Sequence, residues 1–193
     1  MRFSPSLSSE DIGPAITRAY AIGTPAGWQN AVKKISEEIR HNPFAVNFFS
    51  DRYSFELAMQ GVREYRRKTD RVPDITKVDP ETHRLCAFAA MLSAVHERLP
   101  PSAQKTLEGR VKGGLTDDVG LAPLAFELLV ASHLLQKGAD VEWHDFESGG
   151  FDFLVRRGSS IVEVECKTFS ADIADPCVRW ILDSRLRGND NRG

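Results

Sequence analysis

The hydrophobic pattern of this chain changes its period near Gly138, and this change limits the folds that the chain can adopt. Before that point apolar residues recur three and four positions apart, as in the set Trp28, Val32, Ile35 and Ile39. This spacing is typical of one face of a helix. After it, short segments alternate apolar and charged residues, as strands do. An α+β or α/β layer, with the last helix against the sheet, is the packing that this order favours, and α+β is the class that we predict.

Three helices are predicted within the first hundred or so residues. The first begins at Pro25 with Thr24 as its N-cap, and the third begins at Pro80 with Asp79 as its N-cap. Proline is favoured at the first position of a helix, and threonine or aspartate just before it. The second helix covers residues 51–68, and a loop separates it from the third.

The region between residues 109 and 138 is predicted to contain a connection and then a strong helix. The stretch GRVKGGLTDD, residues 109–118, is rich in glycine and reads as a flexible connection that closes an α-helical region of residues 1–115. The stretch LAPLAFELLVASHLLQKG, residues 121–138, then reads as a helix that Gly138 ends. Three strands follow, within residues 139–146, 151–157 and 159–169, with turns at ESGG and RGSS.

Length and composition exclude several classes of protein. A chain of 193 residues with 41% hydrophobic and 27% charged residues is expected to be globular and soluble. Neither a membrane-spanning run nor a secretory signal is recognisable, and three widely spaced cysteines indicate reduced thiols, so a cytoplasmic location is expected. A net charge of −2 argues against a globally basic nucleic-acid coat protein, although a local basic patch remains compatible with it.

The last predicted strand carries charged residues at alternate positions. Glu163, Glu165 and Lys167 share one face, because side chains two residues apart in a strand point the same way. Val162, Val164 and Cys166 occupy the opposite face. One interpretation is a strand with a solvated face, and the other is a strand whose charged side chains belong to a functional site. The alternation alone does not distinguish these two interpretations.

Two further carboxylates precede this strand. Glu127 lies in or beside the apolar stripe of the strong helix, where a carboxylate is costly unless it is paired or reaches solvent at the margin. Asp152 lies between two phenylalanines at the start of a strand, where a turn residue is the simpler interpretation. Taken with Glu165, these residues would supply oxygen ligands for a hard divalent cation. Lys167 would stabilise negative charge on a phosphodiester under attack.

In this order, Glu127, Asp152 and then Glu165-Cys166-Lys167 resemble the PD-(D/E)XK nuclease superfamily, which has the restriction-endonuclease-like fold with an αβββαβ core. The resemblance covers roughly residues 118–172. It implies that Asp152 and Glu165 ligate Mg²⁺ or Mn²⁺, with the Cys166 carbonyl as a third ligand. It also implies that Lys167 is the catalytic lysine and that Glu127 is the acidic residue of the first core helix. Phe151 stands where the motif has proline.

The segment after this motif does not resemble the second helix and fourth strand that such a core needs. WILDSRLRGNDNRG, the final stretch, is similar to the peptide translated from a short intergenic repeat of bacterial genomes. We therefore expect three parts: a helical region to residue 115, an incomplete core over 116–172, and a disordered or non-native tail over 173–193. Such a truncated core would be inactive or poorly stable, or would complete itself by forming a homo-oligomer. A short helix over 172–185 with a disordered end is the alternative.

A basic stretch in the helical region, REYRRKTDR, has two interpretations. Arg63, Arg66, Arg67 and Lys68, with Tyr65 among them, stand near a helix end. Cations there complement the helix dipole, which is the simpler reading, and the alternative is a phosphate-contacting patch. The five histidines show no metal-ligand spacing, and we assign them no role.

The function that the sequence predicts is a bacterial metal-dependent nuclease acting on nucleic acid, with DNA favoured over RNA and with no membrane partner. Two alternatives remain open. One is a non-catalytic remnant or nucleic-acid-binding module that keeps the fold. The other is a structural or partner-binding α+β protein whose strand charges are simply solvated.

Overall fold

The computed structural model describes residues 9–143, 152–167 and 181–183. Within these ranges the chain has the α+β fold that the sequence predicted, with seven α-helices before a small antiparallel sheet. Three of these helices, Ser9–Gly23, Val46–Arg52 and Pro101–Thr116, were not predicted. The helices are α1 (Ser9–Gly23), α2 (Pro25–His41), α3 (Val46–Arg52), α4 (Ser54–Thr69), α5 (Pro80–His96), α6 (Pro101–Thr116) and α7 (Ala122–Gln136). The strands are β1 (Asp140–Trp143), β2 (Phe153–Arg157), β3 (Ser160–Lys167) and β4 (Ile181–Asp183).

The predicted N-caps of α2 and α5 are confirmed. Thr24 accepts a hydrogen bond from the Gly27 N–H at 3.1 Å, and Asp79 accepts one from the Thr82 N–H at 2.8 Å. Each bond satisfies a backbone donor that the first turn of a helix leaves without a partner, and is worth about 1 kcal/mol. The Thr82 hydroxyl also donates to Asp79 at 2.7 Å, which strengthens the second cap.

The chain divides into two compact units, and the boundary falls between Ala125 and Phe126, within α7. In the helical unit, α1 packs against α5 and α6, α2 packs against α4 and α6, and α4 packs against α5. The core of this unit consists of large side chains that are almost completely buried, among them Ile12, Ile16, Ile35, Met59, Val62, Leu85, Phe88 and Leu92.

The prediction of a flexible connection over residues 109–118 was wrong for most of that stretch, because α6 continues to Thr116. Leu107, Val111 and Leu115 lie four residues apart and are all buried. Burying three such side chains gains roughly 1.5–3 kcal/mol each, which exceeds the cost of about 1 kcal/mol per helical glycine. The connection to α7 is therefore only residues 117–121.

Side chains from α2 and from the residue just before α4 hold this short connection. Lys34 Nζ contacts Asp118 Oδ1 at 2.6 Å, and the Tyr53 hydroxyl donates to the Asp118 carbonyl at 2.9 Å. Gly120 has a φ of +70°, and a Cβ there would lie 3.1 Å from the Tyr53 ring. Only glycine adopts this backbone conformation without strain, so the turn depends on it.

The second unit contains the sheet, in which β1, β2, β3 and β4 are neighbours in that order and all pairs are antiparallel. Gly138, with a φ of +79°, follows α7 as the predicted stop, and Gly158 is in the two-residue turn between β2 and β3. A turn of two residues fixes the register of a hairpin. Ala131 of α7 packs against the core face of the sheet, formed by Phe153, Val155 and Val164.

Strand β4 lies in the segment that the sequence predicted to be a disordered or non-native tail. Its three residues pair with β3, with Ile181 opposite Lys167 and Asp183 opposite Glu165. A connection through a crossover helix normally brings the next strand in parallel, whereas β4 runs antiparallel to β3. Residues 168–180 and 184–193, which include most of the alternative helix over 172–185 and the rest of the tail, lie outside the described residues, as do Phe151 and the ESGG turn.

Candidate functional site

The β2–β3 hairpin brings two of the predicted site residues, Asp152 and Cys166, into contact. Asp152 immediately precedes β2, and its carboxylate Oδ2 accepts a hydrogen bond from the Cys166 N–H at 2.5 Å. Its own N–H donates to the Val164 carbonyl at 2.9 Å. The Asp152 carboxylate therefore lies at the backbone of β3, at the residue between Glu165 and Lys167.

This contact gives Asp152 a structural task that the sequence did not reveal. The side chain is half-buried, and one oxygen is held by a charge-assisted bond to the strand backbone. Such a bond ties the start of β2 to the end of β3, where the hairpin ladder has already ended at the pair Phe153 and Val164. Both interpretations of Asp152, as a turn residue and as a ligand, are compatible with this position.

The alternation predicted for β3 is confirmed. Val164 is buried, and Val162 and Cys166 are half-buried, on the face that packs against α7. Glu163, Glu165 and Lys167 are exposed on the other face.

On that exposed face, Lys167 Nζ lies 3.1 Å from Glu165 Oε1, and the two side chains are 55% and 47% exposed. An ion pair as open to water as this contributes at most about 1 kcal/mol to stability. The ion pair matters for the position of the two groups rather than for stability, because it keeps the Lys167 ammonium beside the Glu165 carboxylate.

Glu127 is buried, with 5% of its surface exposed, so the alternative in which it reaches solvent at the margin of the stripe is excluded. Leu124, Leu128 and Ala131, the stripe residues around it, are also buried. Glu127 lies one helical turn before Ala131, which contacts the core face of the sheet, whereas Glu165 projects from the opposite face.

Among the residues that the structure describes, no three histidine, cysteine, aspartate or glutamate side chains are close enough to hold a metal ion together. The hairpin thus brings the Asp152 carboxylate to the Cys166 N–H, which lies between Glu165 and Lys167 along the strand, and within the described ranges no cluster of three such ligands forms. Cys166 takes part through its N–H, and its role as a carbonyl ligand stays a prediction.

The helical unit contains a buried carboxylate that the sequence reasoning missed. Glu56 of α4 is 1% exposed, and its Oε1 accepts a hydrogen bond from the Leu121 N–H at 3.2 Å. Its Oε2 has no hydrogen-bond partner in the described part of the chain. Burial raises the pKa of this carboxyl from 4.5 to about 7, against the smaller opposing effect of backbone hydrogen bonds. The signal was available, because Glu56 precedes Met59 in an apolar stripe much as Glu127 precedes Ala131.

The basic stretch of α4 is exposed, and its arginines have few acidic partners. The Arg63 guanidinium lies over the Tyr20 ring at 4.1 Å, and Arg66 donates to the Thr17 hydroxyl at 3.0 Å. Arg66, Arg67 and Lys68 occupy the last turn of the helix, where they complement its dipole as the simpler reading predicted.

Comparisons of the chain with protein-family models, with curated protein sequences and with solved structures found no match. In the described ranges, no helix combines the length and the apolar character that crossing a membrane requires.

Proposed function

We propose that this chain is a nuclease-like protein that hydrolyses nucleic-acid phosphodiester bonds with Mg²⁺ or Mn²⁺, and that Asp152, Glu165 and Lys167 form its site. The observation that supports this most strongly is the hydrogen bond from the Cys166 N–H to Asp152, which brings this carboxylate to the Glu165-Cys166-Lys167 segment. Asp152, just before β2, thus reaches the backbone of β3 at the residue between Glu165 and Lys167. This arrangement is compatible with what the resemblance to the PD-(D/E)XK superfamily implies.

The donors at this place suit the proposed metal. Mg²⁺ in enzymes commonly takes one or two carboxylates and completes its shell with water and substrate phosphate oxygens. Asp152 and Glu165 would be those two carboxylates, and Glu165 is open enough to solvent for a substrate to reach it. A bound metal would polarise the phosphodiester and make a water molecule a stronger nucleophile.

Lys167 contributes a positive charge of its own. Its ammonium is held beside Glu165 and is half exposed, so it can bind a phosphate oxygen from solvent. A cation in this position stabilises the charge that builds up on the phosphate in the transition state, and removing one such group typically lowers kcat about 10²–10³-fold.

A second candidate is a module that binds nucleic acid or a partner without cleaving. Two observations favour it: the exposed Glu165–Lys167 pair is an ordinary surface ion pair, and the described residues gather no third acidic ligand. In this reading Asp152 acts only as a structural tie between β2 and β3.

The test is a cleavage assay on plasmid, linear duplex and single-stranded DNA and on RNA, with Mg²⁺, with Mn²⁺ and with a chelator. Asp152→Asn is the preferred variant, because asparagine keeps an oxygen that can accept from the Cys166 N–H. We expect Asp152→Asn and Lys167→Met to abolish metal-dependent cleavage. Glu163→Gln, which changes a carboxylate on the same face of the same strand, should leave cleavage unchanged.

Cleavage that persists in both site variants would refute the proposed residues. Binding of nucleic acid without cleavage under every metal condition, together with no metal binding by calorimetry, would favour the second candidate instead.

A further inference from the structure

A cavity of about 480 Å³ lies between α2 and α4 in the helical unit. Its volume falls within the range of roughly 300–1,000 Å³ that is common for small-molecule sites. Trp28 and Val32 of α2 and Met59 of α4 form its apolar surface, and Trp28 and Met59 are almost completely buried. Such a surface suits a flat, apolar group of a ligand, and a methionine sulfur makes favourable contacts with aromatic rings.

A buried carboxyl group lines this cavity as well. Glu56 gives one oxygen to the Leu121 N–H, and its other oxygen has no hydrogen-bond partner among the described residues. A buried oxygen without a partner is costly, and a ligand that donates a hydrogen bond to it would remove that cost. Above about pH 7, where this carboxyl loses its proton, the observation therefore points to a ligand with an N–H or O–H group at the end that enters first.

The outer part of the cavity is positively charged. Lys33 of α2 and Arg63 and Arg67 of α4 line it, against one exposed carboxylate, Glu64, which already accepts a hydrogen bond from Gln60 at 3.0 Å. Lys33 Nζ lies 3.9 Å from Glu37 Oε1 and the Arg63 guanidinium lies over the Tyr20 ring, whereas neither arginine forms an ion pair within the described part of the chain. Exposed arginines and a lysine at a cavity mouth attract an anion, and arginine is especially suited to phosphate.

We propose that this cavity binds a nucleoside phosphate, with the phosphate at Arg63, Arg67 and Lys33 and a donor group of the base at Glu56. Seven residues of helix separate Glu56 from Arg63, which corresponds to roughly 10 Å along α4. This span is comparable with that between the base edge and the 5′-phosphate of a nucleotide. The inference goes beyond the nuclease proposal and does not rest on it, because Asp152, Glu165 and Lys167 take no part in the cavity.

The order of groups along α4 favours this ligand over a simple anion or an apolar molecule. Inorganic phosphate would engage only the cations of the mouth and would leave Glu56 and the apolar wall without contacts. An uncharged aromatic compound would contact the apolar wall and would gain no ionic interaction with the arginines. A nucleotide carries a phosphate, a flat base and a hydrogen-bond donor on that base. These groups follow one another in the same order as the cations of the mouth, the apolar wall and Glu56.

The experiment is isothermal titration calorimetry on the full chain with AMP, GMP, CMP, UMP and inorganic phosphate as separate probes. At least one nucleotide should bind more tightly than inorganic phosphate. Arg63→Ala and Arg67→Ala should each weaken its binding about 10- to 100-fold, since each removes a charge-assisted bond. Both arginines are exposed, so the fold should tolerate their replacement. Arg84→Ala is the control, because Arg84 is an exposed arginine of α5 that pairs with Glu81.

A second variant tests the inner end of the site. Glu56→Gln should weaken nucleotide binding while leaving the weak binding of inorganic phosphate unchanged. Nucleotide affinity that is equal in the wild-type protein and in both arginine variants would overturn the proposal, as would no binding of any of the four nucleotides at millimolar concentration. Phosphate binding as tight as that of every nucleotide would overturn the base-recognition part. Asp152→Asn, which tests the nuclease proposal, should bind the nucleotide normally.

Discussion

The buried carboxyl of Glu56 should make the stability of this protein depend on pH in a range where most proteins change little. Its pKa in the folded chain is about 7, whereas the ordinary value is 4.5. The folded protein therefore keeps a proton on this group that the unfolded chain releases at lower pH. Wherever the folded state binds more protons than the unfolded state, the free energy of unfolding decreases as the pH rises.

The size of the effect follows from the difference between the two pKa values. A gap of about 2.5 pH units corresponds to roughly 3 kcal/mol, at about 1.4 kcal/mol per unit. This stabilisation is complete below about pH 4.5 and is lost as the pH rises to about 7, and above that it stays absent. Three kcal/mol is a large part of the roughly 5–15 kcal/mol that holds a typical domain together.

Neighbouring groups should not obscure this change. Burial raises the pKa of Tyr53, whose hydroxyl stays protonated throughout the range, and the Lys34 contact lowers the pKa of Asp118, which titrates below it. Lys34, whose pKa is raised by the same contact, remains charged.

The assay is urea denaturation at half-unit steps between pH 4.5 and 8.5, on the wild-type protein and on Glu56→Gln. Glutamine keeps an oxygen for the Leu121 N–H and does not titrate. The difference in unfolding free energy between the two proteins should shift by roughly 3 kcal/mol across this range, in favour of the variant at high pH. The control is Glu64→Gln, which replaces an exposed carboxylate on the same helix and should not give this pH-dependent difference in unfolding free energy. A difference between wild type and Glu56→Gln that does not vary with pH would refute the reasoning.

Three further predictions concern stability and can be measured by the same denaturation at constant pH. Asp79→Ala should destabilise the protein by about 1 kcal/mol, since it removes the cap of α5, and no loss would show that Thr82 N–H finds another acceptor. Gly120→Ala should destabilise the protein by roughly 1–3 kcal/mol, because φ is +70° and the Tyr53 ring is 3.1 Å from the new Cβ. Gly113→Ala is its control: nothing lies near the new Cβ, so this change should stabilise α6 by up to about 1 kcal/mol. Leu92→Ala should cost about 2–5 kcal/mol, as Leu92 is completely buried, and a smaller loss would indicate that the core collapses around the cavity.

What the sequence predicted correctly depends on local signals. The caps of α2 and α5 and the stop at Gly138 lie within a few residues of the elements they define, so spacing alone identified them. The alternation in β3 likewise needs only one strand. The helix α6 was missed because its glycines were given more weight than its buried stripe, and the burial that decides the matter comes from α1 and α2.

What the sequence could not predict depends on partners far along the chain. The place of Glu56 in an apolar stripe is visible in the sequence, but its hydrogen-bond partner is a backbone N–H 65 residues away, so the burial of its carboxylate is decided only once α4 and the Gly120 turn are in place. Glu127 was identified as unusual, but whether such a carboxylate reaches solvent depends on the packing around it. The link from Asp152 to β3 requires knowledge of the hairpin register, which the two-residue turn sets.

That link also bears on how the proposed site comes into being during folding. Its three residues belong to one hairpin, and the bond between Asp152 and Cys166 spans only fourteen positions of the chain. Contacts this local form early, since hairpins close in about 1–10 μs and short loops cost little entropy. An isolated peptide of residues 151–168 would show whether the Asp152 tie forms from the hairpin alone. If it does, the position of Asp152 at the Cys166 N–H is a property of eighteen consecutive residues, and α7, which packs against the core face through Ala131, stabilises the hairpin rather than creating it.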